Sequence, residues 1–136
     1  MEEGKKEISA IRLTKARENL QVSEELLQKG HFSFSLNRSY YALFDAIRAV
    51  NALDGFDSSK HSGVIAHFNQ YHVKNGDFDP GFSTIIKEAS YMREKADYDD
   101  FFSADGYKAA EVLEKVRRFV DSVKSFLKDK NYTDDN

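Results

Sequence analysis

Residues 36–50 read LNRSYYALFDAIRAV, and their apolar side chains recur at the spacing of an α-helix. The positions on one face are separated by four, three, four and three residues: Leu36, Tyr40, Leu43, Ile47 and Val50. Such a stripe faces a protein core, while the rest of the helix carries polar groups. Gly30 before the segment and Gly55 after it set the limits of the predicted helix.

The last part of the chain carries the clearest apolar stripe. Its inward positions follow the same alternating spacing of four and three: Ala109, Leu113, Val116, Val120, Val123 and Leu127. Ser103 belongs to the residue types that cap the first turn of a helix. We therefore predict a long helix over about 104–128.

Three further helices are predicted between and before these two. The first covers about residues 6–29, and a short third helix follows Ser58 or Ser59 as its N-cap. The fourth begins after Asp79-Pro80, because aspartate before a proline in the first turn is a strong start signal.

The composition favours an all-α fold. The 136 residues include one proline and seven glycines, whereas strand-rich domains need more turn residues. Short connections favour antiparallel neighbours. We predict one domain over 1–136, an up-and-down four-helix bundle with an extra short helix, whose polar tail at about 129–136 is frayed.

Charge and cysteine content narrow the functional classes. The formal net charge is −3, so extensive non-specific binding to duplex nucleic acid is not expected, and any RNA contact should be local. The absence of cysteine excludes disulfides and thiolate chemistry and suits a reducing compartment. With no signal peptide and no apolar run of about 18 residues, we predict a cytoplasmic protein without a membrane contact.

A polar stripe follows one side of the second helix. Arg38, Tyr41, Asp45 and Arg48 are separated by three, four and three residues. Such a stripe lines a ligand groove or a dimer cleft in some proteins, and in others it is a buried network that fixes the register of a bundle. The spacing of the stripe is compatible with both interpretations.

Three segments carry a family resemblance: NRSYYALF at 37–44, KHSGVI at 60–65 and REKADY at 93–98. In this order and spacing the chain resembles an uncharacterised prokaryotic branch of the HEPN superfamily, over roughly residues 10–125. The resemblance implies a bundle of four or five helices that often forms a homodimer. It also implies a toxin whose antitoxin is a small MNT-type nucleotidyltransferase.

Catalytic members of that superfamily are metal-independent ribonucleases with an arginine followed, after four to six residues, by a histidine. Arg93 matches the arginine, while Asp97 or Tyr98 occupies the place of the histidine. A guanidinium at this position would stabilise charge that develops on a phosphate. The alternative is an ion pair between Arg93 and Asp97, which are four residues apart on one helix.

His61 is the predicted substitute for the missing histidine, because an imidazole accepts protons near neutral pH. Its position on the same face as Val64 and Phe68 fits a structural, inward-pointing side chain equally well.

No metal site is predicted, since His67 and His72 are five residues apart and helical ligand pairs are three or four apart. No cofactor is predicted either, because the chain has no glycine-rich phosphate loop.

Three functional hypotheses follow. The leading one is a toxin–antitoxin or defence module that binds RNA, a nucleotide or a nucleotidyltransferase in an interhelical cleft. The residues assigned to ligand binding are Arg38, Tyr41, Asp45, Arg48 and Lys60. The second is a metal-independent endoribonuclease, with candidate catalytic residues Arg93, Asp97, Tyr98 and His61. The third is a helical scaffold, and only the first two require these groups to share one hollow.

Overall fold

The computed structural model describes residues 2–132, which form five α-helices and no strand. The helices are α1 (Glu2–Gln28), α2 (Phe32–Asn51), α3 (His61–Phe68), α4 (Gly81–Tyr98) and α5 (Gly106–Asp129). A 3-10 turn, Ala52–Asp54, extends α2, and a π-helical turn, Asn69–Val73, extends α3. The predicted all-α bundle with one short helix is confirmed.

Helix α2 is the centre of the bundle and contacts each of the other four helices. All five residues of its predicted apolar seam are buried. Ala42, Ala46 and Ala49 are completely inaccessible to solvent, and their small side chains let neighbouring helices approach α2 on its other sides. The helix is therefore enclosed around most of its circumference.

The contact between α1 and α2 is made by small polar side chains. Ser23 Oγ lies 2.8 Å from the Ser35 carbonyl oxygen, 2.9 Å from Ser35 Oγ and 2.8 Å from Ser39 Oγ. Further along, the Ser9 hydroxyl donates to the Ala49 carbonyl oxygen at 2.8 Å. Buried hydroxyls need such partners, so these bonds fix the register of the two helices.

The predicted start of α4 is confirmed, and that of α5 is shifted. Asp79 Oδ1 accepts a hydrogen bond from the Gly81 N–H at 2.7 Å, as the Asp-Pro signal indicates. Ser103 is not the cap of α5, because the helix begins at Gly106 and Asp105 Oδ1 accepts from the Tyr107 N–H at 2.8 Å.

The predicted cap of α3 is also displaced. Ser58 Oγ accepts from the Lys60 N–H at 3.1 Å, but Lys60 itself occupies the N-cap position and offers no side-chain bond to the helix. Packing sets this start: Asn51 Nδ2 donates to the Val64 carbonyl oxygen at 3.0 Å and so attaches α3 to the end of α2.

The two ends of the bundle are closed by contacts between remote segments. At one end, Gly106 lies so close to Phe32 that an added Cβ would meet the ring at 2.9 Å. At the other end, Tyr132 is buried and its hydroxyl bonds to Glu2. The frayed tail predicted for about 129–136 stays a prediction, because residues 133–136 lie outside the described residues.

Among residues 2–132, none of the helices combines the length and the apolar character that crossing a bilayer requires.

Replacing Ser23 by alanine is expected to lower the free energy of unfolding by about 1–2 kcal/mol, because it removes the hydroxyl shared by Ser35 and Ser39. Urea unfolding monitored by circular dichroism measures the change as a lower midpoint with an unaltered slope. Ser125→Ala on the exposed side of α5 is the matched control and should stay within about 0.5 kcal/mol. Equal effects of the two substitutions would contradict the assigned role of Ser23.

Candidate functional site

Two adjacent tyrosines of α2 form the centre of the candidate site. The Arg93 guanidinium carbon, carried by α4, lies 4.6 Å from the centre of the Tyr40 ring and 5.7 Å from that of Tyr41. Such distances are typical of cation–π contacts. Successive residues on a helix point in different directions, so Arg93 occupies the angle between the two rings.

His61, the first residue of α3, packs against the same two rings. Its Nδ1 atom lies 2.9 Å from the Tyr40 hydroxyl, and its ring centre lies 4.1 Å from that of Phe44. Burial lowers the pKa of His61, and the positive charges of Arg93 and Arg48 lower it further. The imidazole is therefore neutral at pH 7 and able to accept a proton.

Arg38 places a second guanidinium on Tyr41, at 5.1 Å from the ring centre. Asn37 Oδ1 and Asn19 Oδ1 accept its hydrogen bonds at 2.9 and 3.0 Å. We call the five residues that meet here the two-tyrosine cluster: Arg38, Tyr40, Tyr41, His61 and Arg93. They come from α2, α3 and α4 and contact one another. That they line one shared hollow stays a prediction.

Asp97 and Tyr98 lie at the edge of the two-tyrosine cluster. Asp97 Oδ2 is 3.6 Å from an Arg93 terminal nitrogen and accepts from Asn37 Nδ2 at 3.0 Å. The ring of Tyr98 is 6.0 Å from the Arg93 guanidinium carbon, although the side chain is 73% exposed. The ion pair with Asp97 leaves Arg93 Nε buried and without a hydrogen-bond partner among the described residues.

The residues of the polar stripe of α2 do not line one groove, because Arg38 and Tyr41 belong to the two-tyrosine cluster while Asp45 and Arg48 contact other residues. Asp45 accepts a hydrogen bond from Asn19 Nδ2 at 3.0 Å, and burial raises the pKa of its carboxyl group. Arg48 donates to Asp57 at 2.8 Å, and Arg12 shares that carboxylate at 3.1 Å. These residues form the polar seam between α1 and α2, so the structural interpretation of the stripe fits this half.

Lys60 is the remaining residue assigned to ligand binding from the sequence. It is exposed at the start of α3, and its side chain makes no hydrogen bond or ion pair within residues 2–132. The structure therefore gathers Arg38, Tyr41, His61, Arg93, Asp97 and Tyr98 in one place, and it leaves Asp45, Arg48 and Lys60 outside.

Three participants were not assigned to the site from the sequence. Tyr40 was placed in the apolar seam, although its hydroxyl binds His61. Asn37 and Asn19 were not singled out, yet they hold Asp97 and Arg38. The sequence contains one local indication, which is that Asn37 stands next to Arg38. The contact between Asn37 and Asp97 joins residues 60 positions apart, so no local pattern indicates it.

A second polar cluster, the Asp54 cluster, lies where the 3-10 turn after α2 meets the end of α3. Asp54 Oδ2 is 2.8 Å from His67 Nε2 and 2.7 Å from His72 Nε2. The argument from their five-residue spacing was wrong for this pair. It assumed an α-helix, whereas the π-helical turn bonds residue i to i+5 and brings both rings to one carboxylate.

The pKa of His61 is expected to rise when Arg93 is replaced by glutamine, because the change removes a positive charge that disfavours the imidazolium. NMR titration of the imidazole resonances measures it, and Arg118→Gln on the exposed face of α5 is the control. The pKa of His61 is lower in the folded chain than its unfolded value of about 6.5, so the unfolded chain binds a proton at this residue more readily. The free energy of unfolding therefore falls as the pH is lowered. If the pKa of His61 is the same in Arg93→Gln as in the unmodified chain, this arrangement is contradicted.

Comparison with known proteins identifies relatives of this chain that cover nearly its whole length. Two relatives from Methanocaldococcus jannaschii, named "Putative toxin MJ0142" and "Putative toxin MJ0605", are each 30% identical to this chain. The alignments cover 93% of this chain and 86% of the first relative, and 92% of each chain for the second. A UPF0332 protein of Thermotoga maritima is 30% identical over 85% of this chain and 87% of its own. The HEPN domain model matches residues 9–126, and the chain therefore belongs to the HEPN domain family.

Proposed function

We propose that this chain is the toxin-type component of a toxin–antitoxin or defence pair, and that it binds RNA phosphates at the two-tyrosine cluster. The names of the two Methanocaldococcus jannaschii relatives support the toxin class. The observation that carries the binding function is the convergence of two guanidiniums and a neutral imidazole on adjacent tyrosines.

The charge balance of the cluster favours an anion. Arg38 and Arg93 both contact the ring of Tyr41, and Asp97 is the carboxylate that pairs with Arg93. A planar guanidinium matches the geometry of a phosphate, with two parallel N–H donors. Because the whole chain has a net charge of −3, attraction to RNA is confined to this local positive region.

The tyrosines add a second recognition element. Aromatic side chains stack with unpaired bases, and each stack contributes about 1–3 kcal/mol to the binding of single strands. Tyr98 presents an exposed ring beside Arg93, so a base can stack there while its phosphate reaches the guanidinium. Single-stranded RNA fits this arrangement better than a duplex, whose bases are already stacked.

Arg93→Ala is expected to weaken the binding of a fluorescent single-stranded RNA about tenfold or more, because a charge-assisted hydrogen bond is lost. Fluorescence anisotropy in the presence of a chelator measures the affinity. Arg118→Gln removes an equal charge from an exposed site on α5 and should leave the affinity within twofold. Arg38→Ala tests the second guanidinium if Arg93→Ala alters the circular dichroism spectrum. Absence of RNA binding by the unmodified chain would overturn the proposal.

A second candidate function, metal-independent RNA cleavage, rests on the position of His61. A neutral imidazole accepts the proton of a ribose 2′-hydroxyl, the oxygen attacks the neighbouring phosphorus, and Arg93 stabilises the added negative charge. The bond from phosphorus to the 5′-oxygen then breaks, and the leaving oxygen takes a proton from water, so that the products are a 2′,3′-cyclic phosphate and a 5′-hydroxyl. The burial of His61 and the charge of Arg93 keep this imidazole neutral at pH 7. Asp97 already holds Asn37 and Arg93, and it is the less suitable base.

An assay with the same single-stranded RNA distinguishes the two candidate functions, RNA binding and RNA cleavage. If the chain is a nuclease, it cleaves the RNA in chelator, and His61→Gln slows the cleavage about 10²–10⁴-fold. Binding without cleavage leaves only the first function. Cleavage that persists unchanged in both His61→Gln and Arg93→Ala would identify a contaminating nuclease.

We also propose that the chain acts as a homodimer whose interface adjoins the two-tyrosine cluster, with a nucleotidyltransferase as the antitoxin partner. Phe101 and Tyr107, in and after the link from α4 to α5, are 98% and 89% exposed. Phe34 at the start of α2 is also exposed, and the contact of Phe32 with Gly106 brings α2 and α5 together at this end. Large exposed aromatic surfaces mark interaction sites.

The double substitution Phe101→Ser and Tyr107→Ser is expected to convert a dimer into a monomer, because it removes the apolar area that association would bury. Sedimentation velocity measures the change, and circular dichroism verifies the fold. Ile11→Ser, at an exposed position of α1, is the matched control and should leave the dimer intact. A monomeric unmodified chain would contradict the dimer.

A further inference from the structure

We propose that Asp54, His67 and His72 form a binding site for one first-row divalent metal ion, and that Zn²⁺ fits it best. The three residues come from the 3-10 turn after α2, the end of α3 and the π-helical turn. Their nearest ligand atoms all lie within 4.8 Å of one another. This site is separate from the two-tyrosine cluster, and the inference does not depend on the proposed function.

The distances between the ligand atoms are close to those around a tetrahedral ion. With metal–ligand bonds of about 2.0–2.1 Å, neighbouring ligand atoms are about 3.3–3.4 Å apart. Asp54 Oδ2 lies 2.8 Å from His67 Nε2 and 2.7 Å from His72 Nε2. An ion replaces these two contacts if each separation widens by about 0.6 Å, a shift within the reach of side-chain rotations.

The hydrogen-bond inventory of His72 supports this assignment. Its Nε2 atom faces Asp54, while its Nδ1 atom lies 3.0 Å from Asp77 Oδ2. A neutral imidazole has a single N–H and cannot donate to both carboxylates. With a metal ion between His72 and Asp54, Nδ1 donates to Asp77 and the lone pair of Nε2 binds the ion. A carboxylate behind a ligating histidine is the usual second partner in zinc proteins.

The ring of His67 is held in place by packing, and Asp54 gives access to the site from solvent. The ring of His67 stacks on Phe56, with centres 4.0 Å apart and planes 7° from parallel, so its orientation is fixed before an ion binds. The side chains of His67 and His72 are mostly buried, whereas that of Asp54 is 35% exposed. This opening gives an ion its entrance and leaves a fourth position for water.

The ligand types select among metals. Two imidazoles and one carboxylate suit Zn²⁺ and its first-row neighbours, while Mg²⁺ and Ca²⁺ prefer sets composed entirely of oxygen atoms. An ion at this site would link the 3-10 turn after α2 to the end of α3 and to the π-helical turn. Because α3 begins at His61, such a link would also fix the helix that supplies the imidazole of the two-tyrosine cluster.

The test is calorimetric titration of the chelator-treated full chain with ZnCl₂, together with thermal unfolding. The expected result is one Zn²⁺ per chain and a Tm raised by roughly 8–10 °C when free Zn²⁺ exceeds the Kd a hundredfold. MgCl₂ at the same concentration should leave the Tm unchanged. No binding of Zn²⁺, or equal shifts with both salts, would overturn the proposal.

Two substitutions locate the bound ion. His67→Gln and Asp54→Asn keep the size of each side chain and should each weaken Zn²⁺ binding at least tenfold, because a ligand is removed. His31→Gln is the matched control, because His31 is an exposed histidine just before α2 and is distant in sequence from the three proposed ligands. Circular dichroism without metal verifies that each variant folds. Affinity that is unaffected by His67→Gln and Asp54→Asn would assign the ion to the general surface and refute this site.

Discussion

The close contact between α1 and α2 is the constraint on which the rest of this structure depends. Ser23, Ser35 and Ser39 replace bulky side chains at the crossing, and their hydroxyls satisfy one another inside the core. The short distance lets α2 become the central element, enclosed by α1 on one side and by α3, α4 and α5 on the others. A helix in that position can expose polar side chains only through gaps between its neighbours.

This enclosure explains why the polar residues of α2 fall into two groups. Asp45 and Arg48 emerge toward α1 and are used in the seam with that helix. Arg38 and Tyr41 emerge where α3 and α4 separate, and there they meet His61 and Arg93. The histidine that the family motif places after the arginine is absent from α4, and a histidine from α3 lies beside the same tyrosines instead.

The π-helical turn changes what the histidines can do. In an α-helix, positions 67 and 72 diverge, but the turn formed by Asn69–Val73 returns position 72 to the side of position 67. Both imidazoles then face Asp54, at the far end of α3 from His61. The short helix therefore carries a polar cluster at each end.

The sequence by itself determined the helices and their buried faces, because the periodicity of apolar residues depends only on the geometry of an α-helix. Residues 36–50 and 109–127 identified the core of α2 and α5, and the segments at 37–44, 60–65 and 93–98 together indicated the family. Caps were less certain: Asp79 was recognised, while Asp105 was missed, since packing selects where a helix starts. Only the tertiary structure decided that Tyr40 binds His61, that Asn37 holds Asp97 and that Asp54 joins two histidines. Those contacts connect residues 13 to 60 positions apart, and no local pattern records which helices pack together.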